Sequence, residues 1–110
     1  MFKVSNPNSR SYVNFRAGSS YNGLERSLEA FKNKVIVEER LVNNGYVEND
    51  VMKAIDEKFQ GLRIKALTAN PKFFPELQKH LESAVKWTCD ITSTYEALGD
   101  FEKKLADANV

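Results

Sequence analysis

Apolar residues recur every three or four positions from Pro75 to Leu98, and this is the longest helical pattern in the sequence. Because an α-helix turns once every 3.6 residues, this spacing aligns the apolar side chains along one side of a helix. The residues on this side are Leu77, Leu81, Ala84, Val85, Thr88, Ile91, Tyr95 and Leu98. Such a helix would be about 36 Å long, whereas a compact chain of this length has a radius of gyration of only about 13 Å. We therefore expect either that Gly99 and Asp100 turn the chain back, or that the helix projects from the fold and meets another subunit.

Two further helices are expected earlier in the chain. The first begins near Leu24 and ends at Asn44-Gly45, because glycine accepts the left-handed conformation that often terminates a helix. Its inner residues are Leu24, Leu28, Phe31, Val35 and Val42. The second begins at Asn49, the expected N-cap. Its inner residues are Val51, Met52, Ile55, Phe59, Leu62 and Ala66. After Gly99, a short last helix is expected, with Phe101 and Leu105 facing inward.

The first 22 residues show a different period. In SYVNFRA (residues 11–17), polar and apolar residues alternate, which is typical of a half-buried strand. Val13, Phe15 and Ala17 would face inward. A partner strand, FKVS (residues 2–5), would pair with it through the turn formers of NPNSR. The predicted fold is therefore α+β and predominantly α, with a short N-terminal β-hairpin or strand, three main helices and a short C-terminal helix.

A chain of 110 residues has the length of one domain. We expect residues 1–22 to form its strand and turn segment, and residues 23–110 to form its helical core. The single cysteine, Cys89, excludes an internal disulfide, which fits the reducing cytoplasm. No apolar run approaches the ~20 residues that cross a bilayer, and the first residues do not resemble a signal peptide. We therefore expect a soluble, cytoplasmic protein without membrane contact.

Residues that support catalysis or metal binding are scarce. The sequence has one histidine, His80, and one cysteine, Cys89, whereas a zinc site built from these ligands needs three or four. The five glycines form no phosphate-binding motif, and the adjacent acids Glu38 and Glu39 would diverge on a helix. We expect His80 on the surface and Cys89 as a small packing residue. The protein is accordingly predicted not to be an enzyme and to need no metal or cofactor.

The N-terminal segment has an uneven charge. Residues 1–22 contain three basic residues and no acid, although the net charge of the whole chain is only +1. If residues 11–17 form a strand, one face would present side chains that stack on bases, read base edges and bind phosphate. The candidate nucleic-acid or ligand face consists of Lys3, Arg10, Tyr12, Asn14 and Arg16. The alternative is an amphipathic strand whose polar face meets only water.

Over residues 11–60 the sequence reads as a strand, a helix, the turn NNG and a helix opening with VENDVMKAI. This order is similar to that of the ribbon–helix–helix DNA-binding family. In that family the paired strands of a dimer enter the major groove, as in other β-ribbon proteins. The resemblance implies that Tyr12, Asn14 and Arg16 read bases and that the helix start near Asn49 contacts phosphate.

A second candidate surface lies on the long C-terminal helix, beside its main apolar stripe. Trp87 and Tyr95 are large side chains of the kind enriched at protein interfaces. The candidate protein interface consists of Trp87, Ile91, Thr94, Tyr95 and Leu98. One stripe would pack on the chain's own helices and the other on a partner or a second copy. The alternative is a central helix buried on several sides in a monomer.

These patterns together predict a small non-enzymatic binding or regulatory protein that acts through protein–protein contacts and self-association as a homo-oligomer. The alternative function is a nucleic-acid-binding regulator that uses the N-terminal face. A third interpretation is a structural or assembly component without a further ligand.

Overall fold

Helices make up most of the structure. The computed structural model of the protein describes the backbone of residues 13–109 and the side chains of residues 21–109. The helices in this range are α1 (Val13–Val42), α2 (Asn49–Thr68), α3 (Phe74–Trp87) and α4 (Ile91–Ala108). A single 3₁₀ turn, Pro71–Phe73, leads into α3. Residues 13–109 contain no β-strand, so the fold is all-α and the predicted α+β class is wrong.

The strand predicted from the alternation in SYVNFRA does not form in residues 13–17, which belong to the start of α1. In the sequence, Val13, Ala17, Tyr21 and Leu24 follow one another at intervals of three or four, so the helical period of α1 extends back through this segment. A short alternation is overridden by the longer helical period. The predicted boundary at residue 22 therefore lies inside α1. The predicted partner strand at residues 2–5 lies outside the described residues.

Buried apolar side chains from all four helices form one cluster. Helical spacing predicted most of its members correctly. The residues predicted to face inward and found buried are Leu24, Leu28, Phe31, Val35, Ile55, Phe59, Leu62, Ala66, Leu77, Leu81, Ala84, Leu98, Phe101 and Leu105. Val42 and Tyr95 are exceptions, since they are 55% and 40% exposed. No residue of α1 after Glu38 is buried, so the end of this helix extends beyond the core.

The helix α2 runs antiparallel to α1. Ion pairs join Lys32 to Asp56 at 2.8 Å and Arg63 to Glu25 at 2.6 Å. The turn between the helices begins where the sequence predicted it, at Asn44-Gly45, and both residues have positive φ angles of 59° and 88°. Because glycine adopts this conformation without strain, Gly45 is a favourable terminator of α1. The helix α2 itself begins at Asn49, and its N-cap is Glu48, so the prediction of Asn49 as the N-cap is wrong by one residue.

The chain turns back between α3 and α4, and the break predicted at Gly99 is wrong. The side chain of Asp90 accepts a hydrogen bond from the backbone N–H of Ser93 at 2.8 Å, and Ser93 Oγ accepts one from the N–H of Asp90 at 3.2 Å. This reciprocal capping favours a helix start at this point. The helix α4 then returns along α3, so that Lys104 lies 3.4 Å from Glu76. The predicted short C-terminal helix is the second half of α4.

The molecule is elongated, measuring 51 × 30 × 24 Å. Its radius of gyration of 16.1 Å exceeds the value of about 13 Å expected for a compact chain of this length. The main cause is α1, which alone is about 45 Å long. No helix within residues 13–109 combines the length and the apolar character needed to cross a membrane.

Candidate functional site

An apolar groove of about 300 Å³ lies between α2 and α4, and α1 contributes one residue to it. The groove is lined by Val35, Asp50, Val51, Ala54, Ile55, Lys58, Phe59, Tyr95 and Leu98. Only Asp50 and Lys58 among these carry a charge, and Lys58 is already paired with Glu102 of α4 at 2.9 Å. The groove therefore offers an incoming group mainly aliphatic and aromatic surface.

The groove opens because α2 and α4 are joined toward one end only. Near their C-terminal ends, Thr68 Oγ1 donates a hydrogen bond to Asn109 Oδ1 at 2.7 Å, and Asn109 Nδ2 donates one to the carbonyl of Lys65 at 3.2 Å. The pair of Lys58 with Glu102 lies farther toward the N-terminal ends. Beyond Lys58, no hydrogen bond or ion pair between described side chains joins the two helices. Their N-terminal halves are therefore separated by the groove.

Tyr95 forms part of the α4 side of the groove and connects it to α1. Its hydroxyl donates a hydrogen bond to Glu39 Oε2 at 2.6 Å. Partial burial, together with this carboxylate, raises the pKa of the Tyr95 hydroxyl well above its ordinary value. The hydroxyl, which an ordinary tyrosine also keeps protonated at neutral pH, therefore stays protonated to higher pH than usual and acts as a donor. This hydrogen bond holds the aromatic ring of Tyr95 beside the groove.

Replacing Tyr95 with Phe is expected to lower the free energy of unfolding at pH 7 by about 1 kcal/mol or less, because water competes for a hydrogen bond at a side chain that is 40% exposed. A raised folded-state pKa stabilises the fold below the unfolded pKa, which is about 10 for tyrosine, and this contribution decreases above it. The difference in the free energy of unfolding between the wild type and Tyr95→Phe should therefore become smaller above pH 10. Urea unfolding of both proteins at pH 7 and at about pH 10.5 measures this difference in free energy. An increase of the difference with pH would contradict the prediction.

A second apolar feature lies at the same end of the molecule. We define the α1 tip as Val37, Leu41, Val42 and Tyr46, whose exposed fractions are 47, 69, 55 and 61%. The first three end α1, and Tyr46 belongs to the turn that follows. This turn leads directly into the first residues of α2, where Asp50 and Val51 line the groove. The α1 tip and the groove are therefore close neighbours.

The residues of the candidate nucleic-acid face fall at or beyond the edge of the described range. Lys3, Arg10 and Tyr12 lie outside the described residues, and Asn14 and Arg16 belong to α1. The strand that would align Asn14 with Arg16 does not form, so the arrangement implied by the ribbon–helix–helix resemblance is wrong for these two residues. A role for any of the five residues in binding stays a prediction.

The structure separates the residues of the candidate protein interface. Trp87 ends α3 and is 50% exposed, whereas the other four residues lie on α4. Thr94 and Leu98 are buried in the core at 0% and 3% exposure. Ile91 is partly buried, and Tyr95 projects beside the groove. Their role in binding a partner stays a prediction, but only Trp87 and Tyr95 present extensive surface.

Titratable groups are dispersed over the described part of the chain. Among residues 21–109, no three His, Cys, Asp or Glu side chains are grouped so as to hold a metal ion. His80 is half-buried and stacks on Phe101 with ring centroids 6.2 Å apart, so the prediction of a surface position is only partly right. Cys89 is exposed in the turn between α3 and α4, so its predicted packing role is wrong.

Sequence reasoning did not identify the groove. Helical spacing placed Val51, Ile55 and Phe59 on an inner stripe, but it gave Ala54 no role. The available signal was the candidate protein interface, because two of its residues, Tyr95 and Leu98, line the groove. Comparison of the chain with protein-family models, with curated proteins and with solved structures gives no match, so a functional proposal depends on the geometry of this chain.

Proposed function

We propose that the protein is a non-enzymatic binding protein whose groove between α2 and α4 takes up an apolar segment of a protein partner. The observation that carries this proposal is the lining of the groove, in which seven of nine residues are uncharged. Apolar surface that stays in contact with water loses the free energy that its burial would provide. Extended apolar surfaces on folded proteins are accordingly characteristic of binding sites.

The size of the groove supports a protein segment over a small molecule. Its volume of about 300 Å³ is at the lower limit of the roughly 300–1,000 Å³ typical of small-molecule pockets. Asp50 and Lys58 are the only charged lining residues, and the hydroxyl of Tyr95 is occupied by Glu39. Few polar groups therefore remain to orient a small ligand. A few apolar side chains of a helix or an extended segment would fill such a space, as in helix-in-groove recognition.

A photoreactive amino acid at Ala54 tests this proposal in cells that express the protein. Ala54 lines the groove and is exposed, so the replacement leaves the core intact. We expect irradiation to yield a covalent adduct with a protein. The matched control carries the same amino acid at Lys79, an exposed residue of α3 outside the groove. Equal adducts at both positions, or no adduct at Ala54, would contradict the proposal.

A further inference from the structure

We infer that the groove takes up the α1 tip of a second copy of this chain. The two copies form a twofold dimer in which the tip of each copy lies in the groove of the other. This inference rests on the function proposed above and identifies the partner. The α1 tip has the required chemistry, because Val37 and Leu41 lie one turn apart on the same side of α1 and are 47% and 69% exposed. Apolar and aromatic side chains of this kind characterise the centres of protein interfaces.

The positions of the two surfaces allow such a dimer. The α1 tip is joined to α2 by the short turn of residues 43–48, and the groove begins at Asp50 and Val51. A twofold axis beside this end of the molecule would place each tip against the groove of the other copy. Each contact is then made twice, which is the defining property of an isologous dimer.

Charges beside the two surfaces complement each other. Arg40 precedes Leu41 on the α1 tip, whereas Glu48 and Asp50 lie at the start of α2 beside the groove. Among the described side chains, neither Arg40 nor Asp50 takes part in an ion pair. In the dimer, Arg40 of each copy would approach Asp50 of the other copy, so that the same charge pair forms twice. Such complementarity favours correct orientation during association.

The available surface also favours a second copy over an isolated segment. Stable interfaces bury about 800 Å² on each partner, whereas a patch of the size of the α1 tip provides only a few hundred Å². In a reciprocal dimer each copy buries both its tip and its groove. A single segment bound in the groove would leave the tip exposed. The second copy therefore covers both apolar surfaces at once.

Light scattering after size exclusion tests the inference with two complementary variants. The wild type at about 100 μM should have a mass near twice the 12.5 kDa of one chain. Leu41→Lys charges the tip and Ala54→Glu charges the groove; both positions are exposed, so the monomer should fold normally. Each variant alone should dimerise about tenfold more weakly or worse, because a charge would be buried in an apolar contact.

Mixing the two variants should restore dimers. The mixed dimer keeps one native contact between tip and groove, and in the other contact the introduced lysine faces the introduced glutamate. The matched control, Leu67→Lys, changes another exposed leucine outside the groove and should dimerise as the wild type does. A wild-type monomer at this concentration, or a dimer that neither variant weakens, would overturn the inference. If the wild type is a monomer and Ala54 still cross-links to a different protein, the proposed function survives and only the identity of the partner is wrong.

Discussion

The Phe31→Ala variant is expected to lose about 3–5 kcal/mol of its free energy of unfolding. Phe31 is fully buried, and its ring centroid lies 6.1 Å from that of Phe59. The substitution therefore leaves a cavity where α1 packs on α2. Single domains are typically stable by only about 5–15 kcal/mol, so this one change removes a large share of the total. Urea unfolding followed by circular dichroism measures the loss.

The matched control for Phe31→Ala is Arg26→Ala, which changes an exposed residue of the same helix. We expect it to alter the free energy of unfolding by about 0.5 kcal/mol or less. If Phe31→Ala does not fold, Phe31→Leu keeps most of the buried volume and should cost roughly 1–2 kcal/mol. Equal effects of Phe31→Ala and Arg26→Ala would contradict the burial of Phe31 between the helices.

The core could be predicted from the sequence because long helical periods leave little choice of face. Leu24, Leu28, Phe31 and Val35 are spaced by three or four residues, and all four are buried. Burial does not follow from periodicity alone, however. Val42 continues the same stripe, yet it is exposed because no other helix covers the end of α1. The extent of the neighbouring helices thus decides where a predicted stripe ceases to be buried.

The N-terminal strand was mispredicted because Val13, Phe15 and Ala17 form too short an alternation to outweigh a neighbouring helical period. Gly18 and Gly23 both lie inside α1, although the sequence predicted that this helix begins only near Leu24. At Gly23, a Cβ would lie 2.6 Å from Oε1 of Gln78 in α3, but this atom is the end of a flexible side chain that can move aside. Gly23 therefore marks neither a turn nor a position where only glycine fits.

The groove could not be predicted because it depends on contacts between residues far apart in the sequence. Asn109 joins α4 to Thr68 and Lys65 of α2, more than forty positions away. These contacts determine which ends of the two helices meet and which ends separate. Tyr95 depends in the same way on Glu39. Local patterns carry no information about such pairs, so the site becomes visible only in the folded chain.

Replacing Gly99 with Pro is expected to lower the free energy of unfolding by about 3 kcal/mol or more. Gly99 lies in the middle of α4, where proline would remove a helical hydrogen bond and clash with the carbonyl of Tyr95, four residues earlier. Replacing the same residue with Ala should instead raise the free energy of unfolding by about 0.5–1 kcal/mol. A Cβ at Gly99 meets no atom within 4 Å, so alanine fits without rearrangement. Urea unfolding of both variants measures the two opposite effects.

These two substitutions at Gly99 distinguish a continuous α4 from the break that the sequence suggests. If Gly99 ended a helix in the left-handed conformation, alanine would be strained there and would destabilise the fold. A proline at or just after such a break would also be tolerated far better than one inside a helix. In the structure, the only glycine with a positive φ angle within residues 13–109 is Gly45. Gly61→Ala, at a position inside α2 that is equally open, provides the matched control and should stabilise the protein by a similar amount. Stabilisation by alanine at both positions, with strong destabilisation by proline at Gly99, would therefore show that α4 continues through Gly99 and that the chain does not reverse there.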